Sequence, residues 1–135
     1  AASCWLDRKI MGSQNGKLQD GFKLIKPAVG YASCPDHTLK GDILKLLGEC
    51  GEPHHHHAHH GHDCKCGHKH GPLGISLTDS YAMTPEASIC GFVFIHTEAG
   101  YPDIRAIGKE QYERYSESRG FDNDKARRFL GHMLK

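Results

Sequence analysis

Residues 54–70 read HHHHAHHGHDCKCGHKH, nine histidines and two cysteines with almost nothing apolar among them. Imidazole nitrogen and thiolate sulfur are the ligands Zn²⁺ prefers, and they also suit Ni²⁺ and copper. The candidate metal ligands are therefore His54, His55, His56, His57, His59, His60, His62, Cys64, Cys66, His68 and His70. Their spacing argues against a single fixed geometry. Structural zinc sites place their paired cysteines across a wider gap, whereas only Lys65 separates Cys64 from Cys66. Low-complexity histidine tracts of this kind chelate in many registers, and disorder is expected when metal is absent. Some sixty residues of folding-competent sequence follow, so the tract reads as an insertion rather than a terminal tag.

The elements that could position any chemistry must come from the two flanks, because histidine, glycine and lysine prefer water to a core. A chain of 135 residues fits one domain or a piece of one. Its net charge of +1 and 24% charged residues lack the basic excess that nucleic-acid binding demands. No apolar run has the length of a membrane helix and no signal peptide is visible, so no membrane association and a cytoplasmic location are expected. The six cysteines are irregularly spaced and read as reduced thiols. No Ser/His/Asp or Cys/His arrangement emerges, so no catalytic residue is assigned. The opening AASCWLDRKIMG begins with neither Met nor a helix cap and reads as cut from a longer chain.

Residues 1–11 fit a helix ended by Gly12, and FKLIKPAVGY a short extended segment entering a turn. Leu39, Ile43, Leu46 and Leu47 recur with helical spacing ahead of Gly48, predicting an amphipathic helix with those leucines inward. Beyond the tract, Ile75, Leu77 and Tyr81 predict one half-buried strand. Residues 88–96 predict a second, with Phe92, Phe94 and Ile95 in the core, and residues 103–107 a third. Short connections favour antiparallel pairing. Residues 109–119 predict a helix closed by Gly120, and Asp122 caps a last helix running through Leu134. This order gives an α+β fold, a small antiparallel sheet flanked by helices and interrupted by the histidine-rich segment at 49–74.

Two blocks carry a resemblance when taken together. The first is IKPAVGYASCPDHT, residues 25–38; the second is LTDSYAMTPEASICGFVFIHTEAGY, running on into IRAIGKEQYERYSESRG and the closing helix. With the tract set aside, their order and spacing resemble the C-terminal reactivation, or AdoMet-binding, domain of cobalamin-dependent methionine synthase. That family has Arg-x-x-x-Gly-Tyr, then Cys-Pro-(Asp/Glu)-His-Thr, a helix, and Ser-(Tyr/Phe)-Ala-Met before an aromatic strand. The likeness covers most of residues 20–48 and 75–135.

The resemblance implies an α+β domain with a bent antiparallel sheet. It implies binding of S-adenosylmethionine for reductive remethylation of cob(II)alamin, the cobalamin being held by another domain of the same protein and the electron supplied by a flavodoxin-type reductase. It also places Lys26, Gly30, Tyr31 and Tyr101 at the ligand. Gly30 lets the backbone approach closely, and Tyr31 offers a ring for adenine to stack on or border. Lys26 stands where the family has arginine, giving a point charge in place of a planar fork. Pro102 stands where a second aromatic is common, and the family's acidic ligand contact lies upstream of anything in this chain. Residues 1–135 thus read as the C-terminal part of the domain, a binding domain of a methyltransferase rather than a catalyst unaided. A reading of another class competes: a metal-handling protein that uses the tract for Zn or Ni on a diverged, non-catalytic scaffold.

Overall fold

In the computed structural model the described residues are 21–49, 51–53 and 73–135. The predicted helix at 1–11 and every candidate metal ligand lie outside them. Strand β1 (Lys23–Ile25) pairs antiparallel with β4 (Phe94–His96) in the register Lys23↔His96, Leu24↔Ile95, Ile25↔Phe94. The same register continues past Pro27: Phe92 N–H donates to the Pro27 carbonyl at 3.1 Å, and Ala28 bridges Gly91. A proline inside the pair gives up only its own donor and interrupts the ladder without ending it. Backbones press together here, since a Cβ on Gly91 would lie 2.7 Å from the Pro27 oxygen.

A second antiparallel pair is formed by β2 (Ser76–Leu77) and β3 (Met83–Thr84). The single strand expected through Ile75, Leu77 and Tyr81 is thus a hairpin. Thr78 accepts the Tyr81 N–H at 2.7 Å, and Tyr81 adopts φ 58, a left-handed conformation uncommon for a bulky residue. Residues 103–107 form no strand either. They run as irregular chain that ends in the bridge Ile107↔Leu134.

The helices are α1 (Leu39–Leu46), α2 (Lys109–Ser118) and α3 (Asn123–Leu130), the last followed by a 3₁₀ turn at Gly131–Met133. Asp122 caps α3 by accepting the Lys125 N–H at 2.7 Å, as its sequence position predicts. Gln111 reaches back to the Gly108 N–H at 3.0 Å at the start of α2. Among the described residues, small antiparallel sheets and three helices confirm the α+β class.

The core is a cluster of Leu44, Leu77, Tyr81 and Phe129, with Ile75 and Met83 packed against it. The Tyr81 and Phe129 rings meet edge to face, 5.3 Å between centroids. Helix α1 does not bury the face its leucines predict. Lys40, Gly41 and Leu44 are inside, while Leu46 is 86% exposed. Gly41 and Gly51 touch backbone to backbone, a contact that only residues without Cβ permit, and this approach rotates α1 away from its leucine stripe. Phe94 and Ile95, expected in the core, are exposed at 50% and 41%.

Candidate functional site

The residues between β1 and α1 form a loop whose shape is set by Gly30. It adopts φ 94, and its N–H donates to the Cys34 carbonyl at 2.7 Å, while Cys34 N–H returns to the Tyr31 carbonyl at 2.8 Å. These bonds close a tight turn with Ala32 and Ser33 at its corner. Tyr31 is left 71% exposed at its edge, while Val29, next to Gly30, is buried. One side chain on the turn meets solvent and its neighbour anchors it.

The segment at 101–104 lies along this loop. Tyr101 Oη accepts the backbone N–H of Lys26 at 2.8 Å, and the Ile104 N–H donates to the Ala32 carbonyl at 2.9 Å. The structure therefore brings Lys26, Gly30, Tyr31 and Tyr101 together on one ledge, with the Tyr101 ring 57% exposed. Uncovered phenol rings can border a flat heteroaromatic group, and the half-buried Lys26 in the same loop carries a cation suited to an anionic one.

Behind the ledge lies a polar network that the sequence did not reveal as such. Asp36 is buried, and its Oδ1 accepts from Thr38 N at 2.8 Å and from Thr38 Oγ1 at 2.7 Å. Its Oδ2 accepts from Tyr115 Oη at 2.8 Å and faces Arg119 Nε at 3.5 Å. Arg119 also holds Asp42 at 2.6 Å and donates to Thr38 Oγ1 at 3.1 Å. One carboxylate thus starts α1 and docks α2 against it. Burial above all, then the bond to Asp36, pushes the Tyr115 hydroxyl far above its ordinary range, so it stays a donor. Asp36-x-Thr38 is a local side-chain-to-backbone pattern that could have flagged the helix start. Nothing local marks Tyr115 or Arg119 as its distant partners.

His37, adjacent to Asp36, packs against Gly30. A Cβ on Gly30 would stand 2.8 Å from both ring nitrogens of His37. The glycine is therefore required by the imidazole behind it, a constraint beyond the ligand approach read from sequence. Burial, then the nearby Lys40 and His132, lowers the His37 pKa against the opposing pull of Asp36. Burial pushes the Cys34 and Cys90 thiols up, so neither is a ready nucleophile. Tyr81, read from sequence as part of a half-buried strand, belongs to the core.

The two ends of the 49–74 segment are also tied together. Glu49, buried, accepts from Leu73 N at 2.5 Å and from Ile75 N at 3.3 Å, and Pro53 bridges Leu77. Lys45 and Glu52 pair on the outside. Among the described residues no three His, Cys, Asp or Glu side chains are placed to hold a metal ion. None of the described helices is long and apolar enough to cross a membrane.

Fold and ledge together define an α+β domain whose candidate site is an exposed aromatic loop. Residues 51–120 match the vitamin B12 dependent methionine synthase activation domain, and the chain belongs to that family. In this family the domain is part of a cobalamin-dependent methyltransferase. The solved structure of the MetH reactivation domain bound to AdoHcy is similar over 98% of this chain, with 26% identity and a TM-score of 0.70. This chain spans 38% of that one.

Proposed function

We propose that the chain binds S-adenosylmethionine at Lys26, Gly30, Tyr31 and Tyr101, for reductive remethylation of cob(II)alamin in a cobalamin-dependent methionine synthase. The observation that carries this is the Tyr101–Lys26 bond, which joins motif halves 75 residues apart into one exposed surface. The AdoHcy in the similar MetH domain supports the ligand class. The residues present suit such a ligand: the Tyr31 and Tyr101 rings offer faces for a purine, and Lys26 a cation for a carboxylate.

The chemistry belongs to the ligand's sulfonium methyl group and to the cobalt of a cobalamin held by another domain. This chain's residues bind and orient, and a flavodoxin-type reductase supplies the electron in the cytoplasm. Residues 1–135 would be the C-terminal part of the reactivation domain and 49–74 a loop inserted in it. The stem formed by Glu49 with Leu73 and Ile75 supports that division.

The test is calorimetric titration with S-adenosylmethionine in chelator, with Tyr31→Ala alongside. Saturable binding that the variant loses is the expected result, and the variant's stability should lie within about 0.5 kcal/mol of the parent because Tyr31 is so exposed. No heat from a chain shown to be folded would overturn the reading. Uptake of Zn or Ni by the tract is a subsidiary proposal resting on composition. Removing residues 54–72 should abolish it and leave ligand affinity intact, whereas removing 49–74 would also take out the Glu49 staple.

A further inference from the structure

The turn that carries Tyr31 is held from behind by two residues outside the proposed ligand set. The His37 ring occupies the space against Gly30, and His37 Nδ1 lies 3.1 Å from Lys40 Nζ. Lys40 is 7% exposed, and its Nζ also donates to the Tyr81 carbonyl at 3.0 Å. An ammonium has no lone pair, so Nδ1 must be the acceptor and the ring proton must sit on Nε2. One buried cation thus ties the β2–β3 turn, at its left-handed Tyr81, to the imidazole behind Gly30.

We propose that Lys40 and His37 are positioning residues for the ligand turn: the Lys40 ammonium fixes the His37 ring, and the ring fixes Gly30 and hence the placement of Tyr31. This rests on reading the turn as the ligand contact. The Gly30 conformation itself needs such support, because a glycine at positive φ has many other states open to it. If His37 merely filled space, an uncharged neighbour of similar size would serve as well as Lys40. The groups facing His37 are Lys40 on α1, Asp36 before it and His132 in the 3₁₀ turn, and Cys90 lies near Lys40. A second proton on His37 would remove the Nδ1 lone pair and set two cations together, freeing the ring.

The experiment is titration of the chain with S-adenosylmethionine between about pH 5 and 8 for wild type, Lys40→Met and Lys40→Arg. In parallel, nuclear magnetic resonance follows the His37 ring, assigned by difference from His37→Gln. Wild-type affinity should be level near neutrality and fall as His37 protonates. Lys40→Met should weaken binding by about tenfold, flatten that fall because no ammonium contact remains to be lost, and move the His37 titration to higher pH, because the imidazolium loses its neighbouring cation. Lys40→Arg should restore part of the affinity by keeping charge and donors. A folded Lys40→Met chain with wild-type affinity and pH profile overturns the proposal. If wild type takes up no ligand, the functional reading fails separately. The His37 titration then still decides the coupling, which an unchanged His37 profile in Lys40→Met would refute. Should Lys40→Met not fold, Lys40→Arg and the proximity of His37 ring protons to the Gly30 α-protons carry the test, and absence of that proximity in wild type overturns it.

Discussion

The phenol oxygen of Tyr101 accepts the backbone N–H of Lys26 at 2.8 Å and so fastens the segment after β4 to the loop after β1. The bond uses the hydroxyl for architecture and leaves the ring face for a ligand. It also sits at the exposed end of the ledge, where the lost donor can find water. Tyr101→Phe should therefore cost toward the low end of a hydrogen bond's usual roughly 0.5–1.5 kcal/mol, about 0.5 kcal/mol in thermal unfolding. Ligand affinity should drop more than stability does, by a few-fold, because Lys26 and the ring lose their common register. A variant with unchanged calorimetric affinity would show that the bond does not shape the site.

Tyr115→Phe probes the network behind the same loop. It strips a donor from buried Asp36 while leaving Arg119 Nε facing the carboxylate at 3.5 Å. An under-satisfied buried acceptor costs about 1–3 kcal/mol, and the surviving arginine keeps the loss toward the lower end. The denaturant midpoint should fall with no change in slope. Loosening of α2 against the start of α1 should also weaken ligand binding, which separates this variant from one at a remote core position.

Glu49→Ala tests the contact that ties residue 49 to residues 73 and 75. Both carboxylate oxygens accept backbone donors, from Leu73 and Ile75, and the residue is buried. Removing it strands two N–H groups and should lower stability by about 1–3 kcal/mol. Amide exchange at Leu73 and Ile75 should quicken while the Gly30 amide, bonded to Cys34, keeps its protection. Equal loss of protection at all three would mean that the stem and the ligand loop open as one unit.

What the sequence revealed and what it hid divide by range. Local signals were sound: Gly48 and Gly120 end helices at positive φ, Asp122 caps its helix, and the antiparallel β1–β4 partners were both recognised as extended. The α+β order followed from these, and the ledge residues followed from a family motif rather than from periodicity. Helix α1 misled because its leucine spacing was the stronger periodic signal, yet the Gly41–Gly51 contact decides which face turns inward. The strand expected through Tyr81 failed because Lys40 and Thr78 together hold that residue in a turn. Asp36, Tyr115 and Arg119 could not be joined in advance, since a polar network across 79 to 81 residues leaves no pattern in any local window.

The same burial that silences His37 makes the fold sensitive to acid. Its pKa in the folded chain lies below the ordinary 6.5, first because it is buried and then because Lys40 stands beside it. The unfolded chain therefore binds a proton that the folded chain resists, and stability rises with pH wherever that difference persists. His37's contribution is fully present above about 6.5 and is lost as pH falls from there through its folded value. Urea unfolding of wild type should thus show a lower free energy at about pH 5.5 than at 7.5, beyond the loss seen in His37→Gln. The comparison isolates this one ring, because every other titrating group is common to both chains. Lys40→Met should show a smaller acid loss than wild type, since the cation that disfavours the imidazolium is gone. Equal slopes for wild type and His37→Gln would mean that the ring protonates freely in the folded state, and the neutral-imidazole contact with Lys40 would fall with it.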